Sequence, residues 1–198
     1  MRLEKFIADW WLAIMSDENV RIDAFLGPSH VSVITGSKIY KELASEFKRP
    51  IAISGFEPLD IMASVLNLVR QQNAGTYEVY NEYARAVKEE GNVKAKELIA
   101  KYFEPCDFVW RGLGEIAQSG MKLKDEFAYL DARVQFDCNV ESAGESKACI
   151  CGQILRGLAK PTDCKVFGKV CNPQNPLGSC MVSGEGACAA YFKYARVG

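Results

Sequence analysis

The sequence predicts an α/β protein: a parallel sheet with flanking helices, followed by a small cysteine-rich domain. Two observations carry this. Over the first two thirds of the 198 residues, short apolar runs alternate with segments of helical periodicity. That alternation is the pattern of βαβ units and implies a parallel sheet. In the last third the periodicity fades, Gly and Pro become frequent, and seven of the eight cysteines fall between Cys138 and Cys188. The boundary is placed near residue 135, giving an α/β domain over 1–135 and a cysteine-rich domain over 136–198.

The elements follow in order. Residues 2–16 read as an amphipathic helix, with Leu3, Phe6, Ile7, Trp10, Trp11 and Ile14 at helical spacing. The run 22–28 reads as a buried strand broken by Gly27 and Pro28. Helical signals follow from His30, interrupted at Gly36. Residues 50–56 are a second strand. Pro58 stands where a helix starts, and that helix ends at Asn73-Ala74-Gly75. TYEVYNEY offers a third strand. Residues 92–103 form a helix with Asn92 as its cap. CDFVWRGL (106–113) is a fourth strand, and KDEFAYLDARVQF is read as helical. The tail has so little apolar periodicity that its core is thin, and a metal is the expected means of holding it together.

Composition excludes several classes. The chain is 48% hydrophobic and 25% charged, with a net charge of −1. No general attraction to nucleic acid or to a membrane is expected. The apolar run Trp10–Met15 is short and preceded by Glu4 and Asp9, unlike a secretory leader. No stretch approaches a membrane span. A cytoplasmic location is expected, where persistent disulfides are rare. Eight cysteines there point to metal or redox chemistry before structural bridges.

The tail cysteines are Cys138, Cys149, Cys151, Cys164, Cys171, Cys180 and Cys188. One four-member reading is C-x14-C-x6-C-x16-C, using Cys149, Cys164, Cys171 and Cys188. Four thiolates suit a [4Fe–4S] cluster or a structural zinc. Structural zinc usually takes a tight C-x2-4-C knuckle, and the one close pair here is Cys149-Ile-Cys151. A metal-free thiol-redox protein is the third reading. Cys106 is read as an ordinary buried thiol, and Cys138 as structural.

The tail stretches CGQILRGLAKPTDCKVFGKVC and NPQNPLGSCMVSGEGACAAYFKY resemble the C-terminal region of the HypD family of [NiFe]-hydrogenase maturation proteins. FLGPSHVSVITG (25–36), SGFEPLDI (54–61) and FEPCDFVWRGLGEIAQSG (103–120) agree with it in order and spacing. The resemblance covers almost everything from about residue 20 onward. It implies two α/β domains plus a [4Fe–4S] domain in the complete protein. It also implies a role in building the Fe(CN)2CO unit, together with a HypC-like chaperone and a HypE-like protein that supplies cyanide. By the same match, Cys149, Cys164, Cys171 and Cys188 are the cluster ligands. Cys151 is the nearest rival to Cys149, and Cys180 to Cys188. Cys151 is also a candidate redox thiol, placed to exchange electrons or disulfides with a cluster.

Members of that family run to roughly twice this length, and their N-terminal half carries C-G-x-H-x-H and G-P-G-C-P-V-C motifs that this chain lacks. The expectation is a C-terminal portion, or one half of a split protein whose N-terminal half comes in trans, without autonomous activity. His30 in GPSH and Glu57 and Asp60 in GFEPLD each follow a strand, where open α/β sheets bind ligands. The resemblance places these loops at the cleft shared with the N-terminal half. The simpler readings are a locally bonded histidine and acids favoured by a helix N-terminus.

Overall fold

A computed structural model describes residues 15, 18–136 and 146–195. The expected helix over 2–16 lies outside these residues apart from Met15, and so does Cys138. Strand β1 (Phe25–Pro28) leads into helices α1 (Ser29–Thr35) and α2 (Ile39–Glu46), then β2 (Ile51–Ser54). Helix α3 (Pro58–Ala74) connects β2 to β3 (Val79–Asn81). The three strands form a parallel sheet in the order β1-β2-β3, with Phe25 opposite Ile51 and Ile51 opposite Val79.

The reason for this layer is legible in β2. Every residue of Ile-Ala-Ile-Ser is buried, as a central parallel strand covered on both faces requires. Ile51 and Ile53 pack with Tyr40, Leu43 and Ala44 of α2 and with Val87. Each fully buried isoleucine side chain contributes about 1.5–3 kcal/mol of apolar burial. The turn between α1 and α2 is fixed by Gly36 at φ 87°, where a Cβ would collide with the Glu89 carbonyl. Ser37 N donates to Lys88 O and Asn92 N to Ile34 O, tying that turn to the loop after β3.

Helix α4 (Val93–Tyr102) is capped by Asn92, whose side chain accepts from Ala95 N at 3.0 Å. The next strand departs from the expected parallel sheet. β4 (Phe103–Trp110) pairs antiparallel with β5 (Gly114–Leu123) in a separate two-stranded sheet. A three-residue connection forces antiparallel return, since a parallel partner needs a long crossover. The segment read as one helix over KDEFAYLDARVQF is a 3-10 turn (Asp125–Leu130) and a single-turn helix, α5 (Ala132–Gln135).

The cysteine-rich region holds short elements: α6 (Cys151–Leu155), a 3-10 turn (Pro161–Asp163), α7 (Ser179–Val182) and α8 (Ala187–Tyr194). Its core is built largely of sulfur. Cys151, Cys171, Cys180 and Cys188 pack with Ile154, Met181 and Ala189. Among the described residues, the region meets the rest of the chain at the β4–β5 turn and at the segment before β1. The Arg111 and Gly112 backbone in the β4–β5 turn lies against Ser179 and Gly152, and Arg21 N donates to Arg156 O at 3.0 Å. Among the described residues no helix is long and apolar enough to cross a membrane.

Candidate metal and thiol centre

Six cysteines from five separate pieces of chain line one small cavity of about 10 Å³, room for about one water molecule. Cys149 precedes α6 and Cys151 begins it. Cys164 follows the 3-10 turn, Cys171 sits in the next turn, Cys180 lies in α7 and Cys188 in α8. All six are free thiols; five are buried and Cys149 is half-buried.

Two of them pair off. Cys151 Sγ lies 2.8 Å from Cys180 Sγ and 3.1 Å from Ser179 Oγ. Hydrogen bonding from the Cys180 thiol, then from Ser179, pulls the Cys151 thiol down to about 6, against the cost of burial. The same contact pushes Cys180 up. Burial, reinforced by neighbouring sulfurs, raises Cys188 to about 11, and burial raises Cys149. Sulfurs that crowd one another so resist common ionisation, and a coordinated cation relieves that repulsion by deprotonating the thiols outright. The Leu177 amide donates to Cys171 Sγ at 3.4 Å.

Glycines make the room. A Cβ on Gly178 would lie 2.5 Å from Cys149 Sγ and 3.2 Å from Cys151 Cβ. A Cβ on Gly152 would collide with the Gly112 carbonyl, so the hairpin turn seats directly on α6. The donor set therefore fits a thiolate-bound metal group. Among the described residues, no three His, Cys, Asp or Glu side chains close around a single-ion position. The sulfurs instead ring a shared space.

The other predicted residues gather at the carboxyl edge of the parallel sheet. His30 stacks on Phe56 with ring centroids 5.7 Å apart, so the loops after β1 and β2 do meet. Asp60, 5% exposed, accepts two bonds from Arg85, at 3.1 and 2.7 Å. Arg85 also lies 3.6 Å from Glu57 and stacks over Tyr83 at 4.1 Å. This guanidinium holds the Asp60 carboxyl below the usual carboxylate range. Gly55 permits the arrangement, because a Cβ there would strike the Asp60 carboxylate. Asn81 Oδ1 in β3 and Glu82 Oε2 just after it are buried acceptors that find no hydrogen-bond partner among the described residues. Cys106 lies apart, in β4 opposite Gly120.

Arg85, Gly178 and Ser179 were not singled out from the sequence. The first is 25 residues from Asp60 and carries no local signal. The glycine and serine directly precede Cys180 in LGSC, and a small residue beside a cysteine was the available hint.

The profile of the HypD family, described as the hydrogenase formation hypA family, matches residues 1–195. The chain belongs to the HypD family. It is 54% identical over 178 residues to hydrogenase maturation factor HypD2 of Bradyrhizobium diazoefficiens, covering 89% of this chain and 47% of that protein. It is 50% identical over 178 residues to hydrogenase maturation factor HypD of Cupriavidus necator, with the same coverage of 89% and 47%. Against HypD of Rhodobacter capsulatus, identity is 42% over 189 residues, covering 92% of this chain and 50% of the relative. The chain spans about half the length of the curated relatives it matches. The HypD match includes both the parallel sheet and the cysteine region.

Proposed function

We propose that this chain is the cluster-holding portion of a hydrogenase maturation factor, a redox-active scaffold in assembly of the Fe(CN)2CO unit of [NiFe] hydrogenases. In this reading Cys149, Cys164, Cys171 and Cys188 hold a [4Fe–4S] cluster within a unit formed by residues 136–198. A HypC-like chaperone and a HypE-like protein are its partners, with the remaining half of a HypD protein supplied in trans or by a longer chain. The setting is the cytoplasm, where thiols stay reduced.

One observation supports the ligand assignment. The two rivals, Cys151 and Cys180, contact each other at 2.8 Å, which favours the other four sulfurs as the ligand set. Bound there, a cluster supplies one-electron transfer. The chain's own residues do the rest. The Leu177 amide donates to the Cys171 sulfur, Ile154, Phe167 and Met181 give the cavity an apolar lining, and Gly178 leaves space against Cys149. The Cys151–Cys180 contact further supports a thiol pair beside the ligands, able to pass between dithiol and disulfide.

The test is anaerobic purification with iron, sulfide and zinc counts and an absorption spectrum on one sample. About four irons per chain and a broad visible band that bleaches with dithionite support the reading, given all-cysteine ligation. A colourless protein with about one zinc after reconstitution with iron and sulfide overturns it in favour of a structural zinc module. A metal-free protein that reversibly forms a disulfide leaves the thiol-redox function alone.

A further inference from the structure

A second cavity, of about 290 Å³, adjoins the cysteine cavity and opens outward. Cys149, Cys151 and Gly178 line both, so this partition is one residue thick. The outer walls carry Arg111, Lys147 and Arg156 and, among the described residues, no carboxylate. The volume sits at the small end of ligand pockets, which start near about 300 Å³.

The three cations come from different parts of the chain. Arg111 is in the β4–β5 turn, Lys147 precedes α6, and Arg156 follows it. Arg111 is held in place: its Nη2 donates to Leu177 O at 2.7 Å, and its carbonyl accepts from Ser179 Oγ at 3.3 Å. A guanidinium has five N–H donors in a fixed fork that matches carboxylate and phosphate oxygens. Arg111 and Lys147 each bring a cation to this concave surface. Gly112, Gly152 and Gly178 also line the pocket, and their backbones pack closely there.

We propose that this pocket binds a small ligand bearing oxyanions, carboxylate or phosphate, against the wall formed by Cys149 and Cys151. The site stands on the walls of the pocket itself and not on what the inner cysteines hold. The competing account is that the three cations only offset negative charge on those sulfurs.

The experiment is calorimetric titration of the anaerobically purified chain at low ionic strength, with inorganic phosphate and with citrate as separate probes. Saturable binding of one probe per chain is expected. Arg111→Gln and Lys147→Gln should each weaken it about tenfold, the loss of one charge-assisted hydrogen bond. Arg111→Lys should recover part of the loss, and Lys160→Gln, outside the pocket, should change nothing. Tighter phosphate assigns a phosphate ligand, and tighter citrate a polycarboxylate. Lys147 is exposed, so its variant reports on binding even where Arg111→Gln disturbs the hairpin. No saturable heat with either probe, or binding unchanged in both glutamine variants, overturns the proposal. So does a pair of variants that alter cysteine reactivity or metal content while probe binding is absent, which would assign the charges to the sulfurs.

Discussion

Cys151 Sγ lies 2.8 Å from Cys180 Sγ, although 29 residues separate them in sequence. The contact joins the first residue of α6 to α7, and Ser179 bonds the same Cys151 sulfur. A two-electron thiol oxidant, added to metal-free chain, is therefore expected to join these two sulfurs first, each thiol giving up its hydrogen. Peptide mapping should locate the bridge, and Cys180→Ser should remove it. A first bridge between other cysteines would contradict the pairing.

Metal content should depend on the remaining sulfurs. Cys164→Ala and Cys171→Ala are expected to abolish cluster binding, while Cys106→Ala and Cys138→Ala leave it intact. Iron and sulfide counts after anaerobic reconstitution check this. Loss of metal in Cys138→Ala alone would refute the assignment.

Asp60 and Arg85 make stability sensitive to acid. The native Asp60 carboxyl titrates below its ordinary value because Arg85 bonds the charged form. Its contribution is full above the unfolded carboxylate pKa of about 3.9 and is lost as pH falls through the lower native value. Asp60→Asn should lower Tm at neutral pH, with the gap to the parent closing on acidification below about pH 4. A constant gap down to strongly acidic pH would show that the ion pair is not its source.

Gly36 has a backbone that L side chains rarely adopt, and Glu89 O blocks a Cβ there. Gly36→Ala should destabilise the α/β layer by about 1–3 kcal/mol or more. For a chain of this size, each kcal/mol lowers Tm by about 2–4 °C. Gly75→Ala, where a Cβ meets nothing within 4 Å, should cost less, and thermal melts of the two variants decide the order.

Helix α3 presents Leu59, Met62, Leu66 and Val69 to solvent, with Leu59 79% and Met62 68% exposed. Together with Phe56 this is an extended apolar face, of a kind that drives association. The isolated chain should self-associate with rising concentration. The double variant Leu59→Lys, Met62→Lys should reduce this while shifting stability within about 0.5 kcal/mol per site. Sedimentation and thermal melts measure the two effects separately.

Much of the α/β layer was legible locally. Pro58 and Gly75 bracket α3 as expected, and Asn92 caps α4 through a bond to Ala95 N. These signals work because each lies within one turn of the element it controls. β5 was missed because Gly-Glu-Ile-Ala-Gln-Ser-Gly carries little strand character, and its identity comes from pairing with β4. The concentration of cysteines was visible in the tail, and six of them line one cavity, the four expected ligands together with Cys151 and Cys180. The Cys151–Cys180 contact was not legible, since it depends on how α7 packs against α6. Arg85 was equally hidden, for its role exists only once the loop after β3 folds back over Asp60.

Among the described residues, the partition of Cys149, Cys151 and Gly178 gives the sulfur nest a weather side. Cys149 is half-buried, whereas the other five sulfurs facing the inner cavity are buried. Under the proposed ligand assignment, oxygen or an alkylating reagent arriving from the outer pocket meets that corner first. Damage would then be sequential, with Cys149 lost while Cys164, Cys171 and Cys188 still hold. A cluster caught part-way through decay would keep three sulfur anchors, and rebuilding it would require restoring one corner rather than gathering four.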